Sequence, residues 1–346
     1  MKTRAMSRSP LPLAGQRVVG FMLGHEQFTV PQLVELGAEA SKAGFGLLAT
    51  SDHFQPWQAN QQHSGAAWVT LGALAARIGA AWMGTTVTCP TLRYHPAVVA
   101  EAFASLAGLH PGGVFLGAGS GEALNEQAAT GRWPRWAERW ERLVEAIEII
   151  RALWSGEAVS HRGRHYRVDG KLYDVPPRPI PILVAANGRK SMRLAGKHGD
   201  GLITDTLSWQ QFKPEWQAGA REAGKNPDAM PVLVEQFVVV GGRDEAMQAA
   251  ALWRFLPKAF KGYYEIEDPA EIQRRAEAEL PLEKVFADWP AGTDPAVHVA
   301  ALDKLFRSGA TIVNIHSGQA DQRKAIEFYG RHVLPEFAHL PARAAE

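Results

Sequence analysis

From Arg17 onward, short apolar runs alternate with longer stretches in which apolar residues recur every three or four positions. Compact apolar runs bounded by turn formers indicate strands, and the 3.6-residue rhythm indicates amphipathic helix. The first run, Val18 to Leu23, precedes a helical stretch from Pro31 to Ala43 that stops at Gly44. Further strand candidates are Leu47 to Thr50, Trp82 to Thr88, Gly113 to Gly117 and Ile182 to Ala186. Gly201 to Thr204, Val232 to Val240 and Thr311 to Ile315 complete the set. The most regular helix follows the fourth run: Trp136, Trp140, Leu143, Ile147, Ile150 and Trp154 share one face, and Gly156 ends it. Eight runs separated by helices predict an α/β fold, a closed (β/α)8 TIM barrel rather than an open sheet.

Two stretches break the repeat. His161 to Asp174 alternates Tyr166 and Val168 with charged residues, which predicts a hairpin insertion near 157–180. Phe255 to Asp288 predicts a helical insertion near 255–290, before the last barrel helix. No tract rich in Gly, Pro or Ser divides the chain, so one barrel domain over 1–346 with two insertions is expected.

Composition narrows the partners. Lys and Arg total 37 against 36 Asp and Glu, a net charge of +1, which offers no general attraction to nucleic acid or anionic membranes. No apolar run reaches the ~18 residues of a membrane span. Cys89 is the only cysteine, which excludes an internal disulfide and a thiolate-based zinc site, and no compact histidine spacing suggests another metal. Met1 to Gly15 carries Lys2, Arg4 and Arg8 but no apolar segment before Pro10 and Pro12, the pattern of a disordered lead-in rather than a signal peptide. A cytoplasmic protein with a small-molecule partner is expected.

In such a barrel the chemistry gathers at the C-terminal ends of the strands. Glu26 follows the first, and Asp52-His53 with Trp57 the second. Asp52 alone has a plain reading as a helix cap. His53 beside Trp57 has a functional one: an imidazole serves as a base near neutral pH, and an indole N–H donates to a developing oxyanion. After the fourth strand, Gly117, Gly119 and Gly121 fail the dinucleotide pattern, because its third glycine falls on Glu122. Ala118 rules out a nucleophile elbow. Two readings stand for this segment. In one, the glycines let a flat cofactor approach the backbone and Glu122 is a buried acid with a raised pKa. In the other, they form a tight turn and Glu122 caps a helix. Ala186-Asn187-Gly188 likewise fits either an anion site at a helix start or an ordinary left-handed turn.

In sequence order, Ser51-Asp52-His53-Phe54-Gln55-Pro56-Trp57, Arg93-Tyr94-His95-Pro96-Ala97-Val98 and Gly121-Glu122-Ala123-Leu124-Asn125-Glu126 form a specific set. Tyr173-Asp174-Val175-Pro176 and Gly199-Asp200-Gly201 extend it. From about Arg17 to Phe337 the chain resembles the luciferase-like flavin/deazaflavin family, most closely its branch of coenzyme F-420-dependent glucose-6-phosphate dehydrogenases. The resemblance implies that His53 takes the substrate hydroxyl proton as hydride leaves for C5 of the deazaflavin, with Trp57 stabilising the charge. Glu122, with Glu26 nearby, would manage the proton at the ring nitrogen. Asp52, Ser120, Gly121 and Asn125 would contact the cofactor, and Ala186, Asn187 and Gly188 would hold its phosphate. A non-proline cis peptide or bulge at Thr86-Val87 would back the ring, and a homodimer is implied.

The chain departs from that branch where it matters. Cys89 stands for a threonine two residues past the cis peptide. At the sugar-phosphate positions Asp205 replaces a threonine, Ser208 and Tyr263 replace lysines, and Asp288 replaces an arginine, with Lys261 as a neighbouring substitute. An unphosphorylated sugar, polyol or alcohol is therefore the expected substrate. The alternatives are a monooxygenase of the same superfamily using reduced FMN and oxygen, and a non-catalytic barrel that binds or stores the deazaflavin.

Overall fold

The computed structural model describes residues 16–256 and 262–337; the lead-in expected at Met1 to Gly15 and the substitute Lys261 lie outside the described residues. Eight parallel strands close into a barrel, and they are the eight runs the apolar pattern marks. They are β1 (Val18–Leu23), β2 (Leu47–Thr50), β3 (Trp82–Thr85), β4 (Val114–Ala118), β7 (Ile182–Ala185), β8 (Gly201–Asp205), β9 (Val232–Val238) and β10 (Ile312–Ser317). The order round the barrel is β1-β10-β9-β8-β7-β4-β3-β2, with β1 closing on β2. The antiparallel pair β5 (Val159–Arg162) and β6 (Arg167–Gly170) is the expected hairpin and stands outside the ring. Tyr166 pins it to the barrel by donating its hydroxyl to the carbonyls of Pro90 and Thr91.

Alternation along each strand decides what enters the barrel. Leu47, Ala49, Leu183, Ile203, Leu233 and Ile312 pack together in its interior. Two-residue steps from these positions lead to Ser51 and His53 after β2, Asn187 after β7, and Asp205 at the end of β8. The same steps reach Glu235 on β9 and His316 on β10. Polar residues thus occupy the top interior layer because the apolar ones below them set the phase. The opposite faces pack against surrounding helices, among them Trp136–Trp154, whose Leu143, Ala146 and Ile150 are fully buried.

Strand β3 is shorter than its apolar run. The ladder stops at Thr85, the Thr86–Val87 peptide bond is cis, and pairing resumes at Thr88 as a single bridge to Ala118. The helical insertion appears as a turn at Tyr263–Glu265 followed by helices Pro269–Glu279 and Leu282–Val285. It roofs the barrel mouth: Ile272 and Ala276 bury against Phe255, Trp253 and Leu124, with Trp57 and Tyr263 at the edge of that cluster.

Candidate active site

A cavity of about 310 Å³ opens above the C-terminal ends of the strands, beneath the helical insertion. Glu26, His53, Trp57, Glu122, Thr86 and Val87 all reach its wall. Asn187, Asp205, Tyr263 and Asp288 do so from the other side.

His53 sits with its Nε2 3.6 Å from Glu26 Oε1, both side chains nearly buried. Glu26 Oε2 accepts from Ser51 Oγ at 2.8 Å. Asn125 fixes the other side of the imidazole. Its Oδ1 accepts the backbone N–H of Phe54 at 2.7 Å, so its Nδ2 is the atom facing His53 Nδ1 and Glu122 Oε2, each at 3.2 Å. Nδ1 is therefore an acceptor, and the hydrogen of neutral His53 lies on Nε2, toward Glu26. No helix follows Asp52, so the capping reading fails. Glu26 is coupled to His53 and Ser51 rather than to Glu122. The Trp57 ring lies 5.1 Å from His53, stacked on Phe255 at 4.8 Å. Its indole N–H has no hydrogen-bond partner among the described residues.

Glu122 holds the cap position of helix Ala123–Thr130, yet its side chain bonds Asn125 instead of the helix N–H groups. The acid that burial pushes up, to about 7, is Glu126, one turn further on. It accepts the backbone N–H of Arg93 at 2.7 Å.

Several expected cofactor contacts have other partners. Asp52 is a buried hub: it accepts from Thr88 at 2.6 Å, Arg93 at 3.0 Å and Tyr94 at 3.1 Å, and none of its oxygens lines the cavity. This explains the Arg93-Tyr94 motif as the support behind His53. Cys89 is sealed in the core, where burial pushes its thiol well up. The glycines serve the chain itself. A Cβ on Gly117 would meet Thr85 O at 1.9 Å, one on Gly119 would meet Val87 at 2.6 Å, and Gly121 has φ +92°. Ser120 is a half-buried loop residue off the cavity wall. Ser208, expected at the substrate, is fully buried beneath Asp205, whose carboxylate accepts its N–H at 2.7 Å and its hydroxyl at 2.6 Å. It belongs to a helix cap, not to the pocket.

The wall from Val87 past Ala185 to Asn187 ends at helix Arg189–His198. Gly188 has extended backbone (φ −149°), which rules out the left-handed turn; its own N–H donates to Ser191 Oγ at 3.0 Å, so an anion here would meet the N–H groups of the first turn that follows. Space beside Gly188 is open, its would-be Cβ meeting only Ser191 Oγ at 3.7 Å. A flat ring over Val87 and Ala185 with an anionic tail at this helix start fits the residues present. Among the described residues no cluster of metal-ligating side chains occurs.

The sequence reading missed a second pair. His316 Nδ1 lies 2.6 Å from Glu235 Oε1, and both side chains line the cavity. Phe237, Trp253, Phe255 and Trp289 add an aromatic wall, and Lys284 is a cation on its rim.

Barrel and site together define an enzyme with a buried acid–base cluster beside a slot for a flat cofactor. The chain belongs to the luciferase-like monooxygenase family, whose model matches residues 16–322. It is 47% identical to an F420-dependent hydroxymycolic acid dehydrogenase of Mycobacterium tuberculosis, over 95% of this chain and 90% of that one. It is 37% identical to an F420-dependent glucose-6-phosphate dehydrogenase of Nakamurella multipartita, over 93% and 96% of the two chains. Among solved structures, an F420-dependent secondary alcohol dehydrogenase in complex with an F420-acetone adduct superposes with a TM-score of 0.86 at 30% identity. That match covers 92% of this chain and 98% of the other.

Proposed function

We propose that this protein oxidises a neutral, unphosphorylated secondary alcohol with an apolar body. It is a coenzyme F-420-dependent oxidoreductase acting on CH–OH groups. The observation that carries the substrate reading is the His53–Glu26 pair and Trp57 on the wall of an aromatic cavity.

The bound deazaflavin supplies the hydride acceptor, C5 of its ring. Val87 and Ala185 would back that ring, and Asn187 with the start of helix Arg189–His198 would take its phosphate. The residues of this chain handle the proton. Because Asn125 holds Nδ1 of His53, the lone pair that receives the hydroxyl proton is that of the Glu26 carboxylate, with His53 Nε2–H beside it. The two act as one unit, which shifts the base from His53 alone to the pair. Trp57 donates its N–H to the substrate oxygen. Glu122, held by Asn125, serves the ring nitrogen.

Five carboxylates line the cavity, those of Glu26, Glu122, Asp205, Glu235 and Asp288, against the single Lys284 among the described residues. Two like charges ~4 Å apart cost about 4 kcal/mol at an effective dielectric of 20, so a phosphate dianion is poorly received. Aromatic side chains instead suit an alkyl substituent. The test compares kcat/KM for hexan-2-ol and glucose-6-phosphate at saturating coenzyme F-420. Preference for the alcohol is expected, and preference for the sugar phosphate overturns the substrate reading.

A further inference from the structure

The ends of β9 and β10 carry an imidazole–carboxylate pair separate from His53 and Glu26. We propose that His316 and Glu235 grip a second hydroxyl of the substrate, so that the alcohol oxidised is a diol with its oxygens on neighbouring carbons. This rests on the alcohol dehydrogenase reading above.

His316 donates Nδ1–H to Glu235 Oε1 at 2.6 Å, a short charge-assisted bond, which leaves Nε2 as its free nitrogen. The imidazole is held rigidly, stacked on Phe237 at 4.2 Å and edge-on to Trp253 at 4.4 Å between ring centres. What Nε2 faces is shown by Gly24. A Cβ there would lie 3.3 Å from Glu26 Oε2 and 3.5 Å from His316 Nε2, so the two polar atoms converge on one slot of the cavity they both line, and a side chain at position 24 would crowd it. Glu26 spans both positions: Oε1 is turned to His53, and Oε2, which accepts from Ser51 Oγ at 2.8 Å, has a second lone pair for this slot. Hydroxyls held by the two oxygens of one carboxylate lie a few ångströms apart, a spacing that a diol on neighbouring carbons supplies.

The chemistry of the slot selects a hydroxyl. A hydroxyl both donates and accepts, so it satisfies the Glu26 carboxylate together with Nε2 in either protonation state of the imidazole. A carbonyl offers only lone pairs to Glu26. A carboxylate or phosphate meets Glu26 and Glu235 as like charges. Structural duty alone does not account for the pair, since β9 and β10 are already joined by a six-residue ladder from Leu233 to Val238. Glu235 moreover stays partly open to the cavity.

The experiment is calorimetric titration of hexane-2,3-diol and hexan-2-ol into the F-420-loaded protein. One well-made hydrogen bond makes the diol about tenfold tighter in the wild type. The ratio of the two affinities falls to near one in His316→Phe, which keeps a ring in place. It falls equally in Gly24→Ala, which fills the slot and leaves both polar residues intact. Equal binding of the two alcohols by the wild type, or a diol advantage that survives in either variant, overturns the proposal. Oxidation of hexan-2-ol without a diol preference sinks the grip alone. Tighter binding of the diol with no oxidation of either alcohol sinks the dehydrogenase reading and leaves the grip standing.

Discussion

Asn125 decides more of the chemistry than any other single side chain. By accepting from Phe54 N–H it presents its amide hydrogens to His53 and Glu122 together, and so fixes which nitrogen of the imidazole carries hydrogen. Loss of the base unit is the first prediction. His53→Ala should lower turnover by ~10²–10⁴-fold, the usual contribution of acid–base catalysis, with F-420 affinity by fluorescence titration largely retained. Near-normal turnover would remove His53 from the mechanism. Glu126 gives the second. Burial keeps it protonated up to about pH 7, against 4.5 for the exposed group. Between those values the folded chain binds the extra proton, so this residue's contribution to stability declines as pH rises. The shift corresponds to roughly 3 kcal/mol. Urea denaturation at pH 4 and pH 8 should show Glu126→Gln gaining that much on the wild type at the higher pH; a constant difference contradicts it. Glu26, His53 and Glu122 were legible because each ends or follows a strand. Glu235 was not, because it lies within an apolar run, and His316 was not, because no segment that carries the family resemblance includes it. Counting in twos from Leu233 and Ile312 finds both.

At the scale of elements, compact apolar runs located all eight barrel strands. The break in β3 showed only through the family resemblance, since Trp82 to Thr88 is an unbroken strand pattern. Ser208 misled for a related reason: its place in a helix cap depends on where β8 ends, which the sequence leaves uncertain by a residue or two. Close contacts between helices were also hidden. Helix Arg189–His198, which carries the proposed phosphate site, packs on helix Thr206–Glu222 through glycines. A Cβ on Gly219 would meet Arg193 O at 1.9 Å, and one on Gly196 would meet Trp216 O at 2.2 Å. Gly219→Ala should therefore cost about 1–3 kcal/mol and weaken F-420 binding by pushing the helix start off its position. Unchanged melting temperature and affinity would show that the two helices separate freely.

For the molecule as a whole, the proposed cofactor slot joins β3, β4, β7 and the helix after β7, while the insertion closes the mouth above. Binding there stabilises the folded chain by mass action, about 2.7 kcal/mol at a hundred times Kd. We expect one thermal transition that moves upward with F-420 and stays put with FMN. Two transitions, with only one responding, would mean that the insertion folds apart from the barrel. Sedimentation in the same buffer reads the expected homodimer. The central claim is passage of a hydride from a secondary alcohol to coenzyme F-420. Its most direct measurement is the visible absorption of F-420 bound to the wild-type protein on anaerobic mixing with excess hexan-2-ol. The account predicts bleaching of the oxidised band with one ketone formed per cofactor reduced. An unchanged band in the alcohol's presence, together with oxygen consumption when reduced FMN is supplied instead, would contradict it.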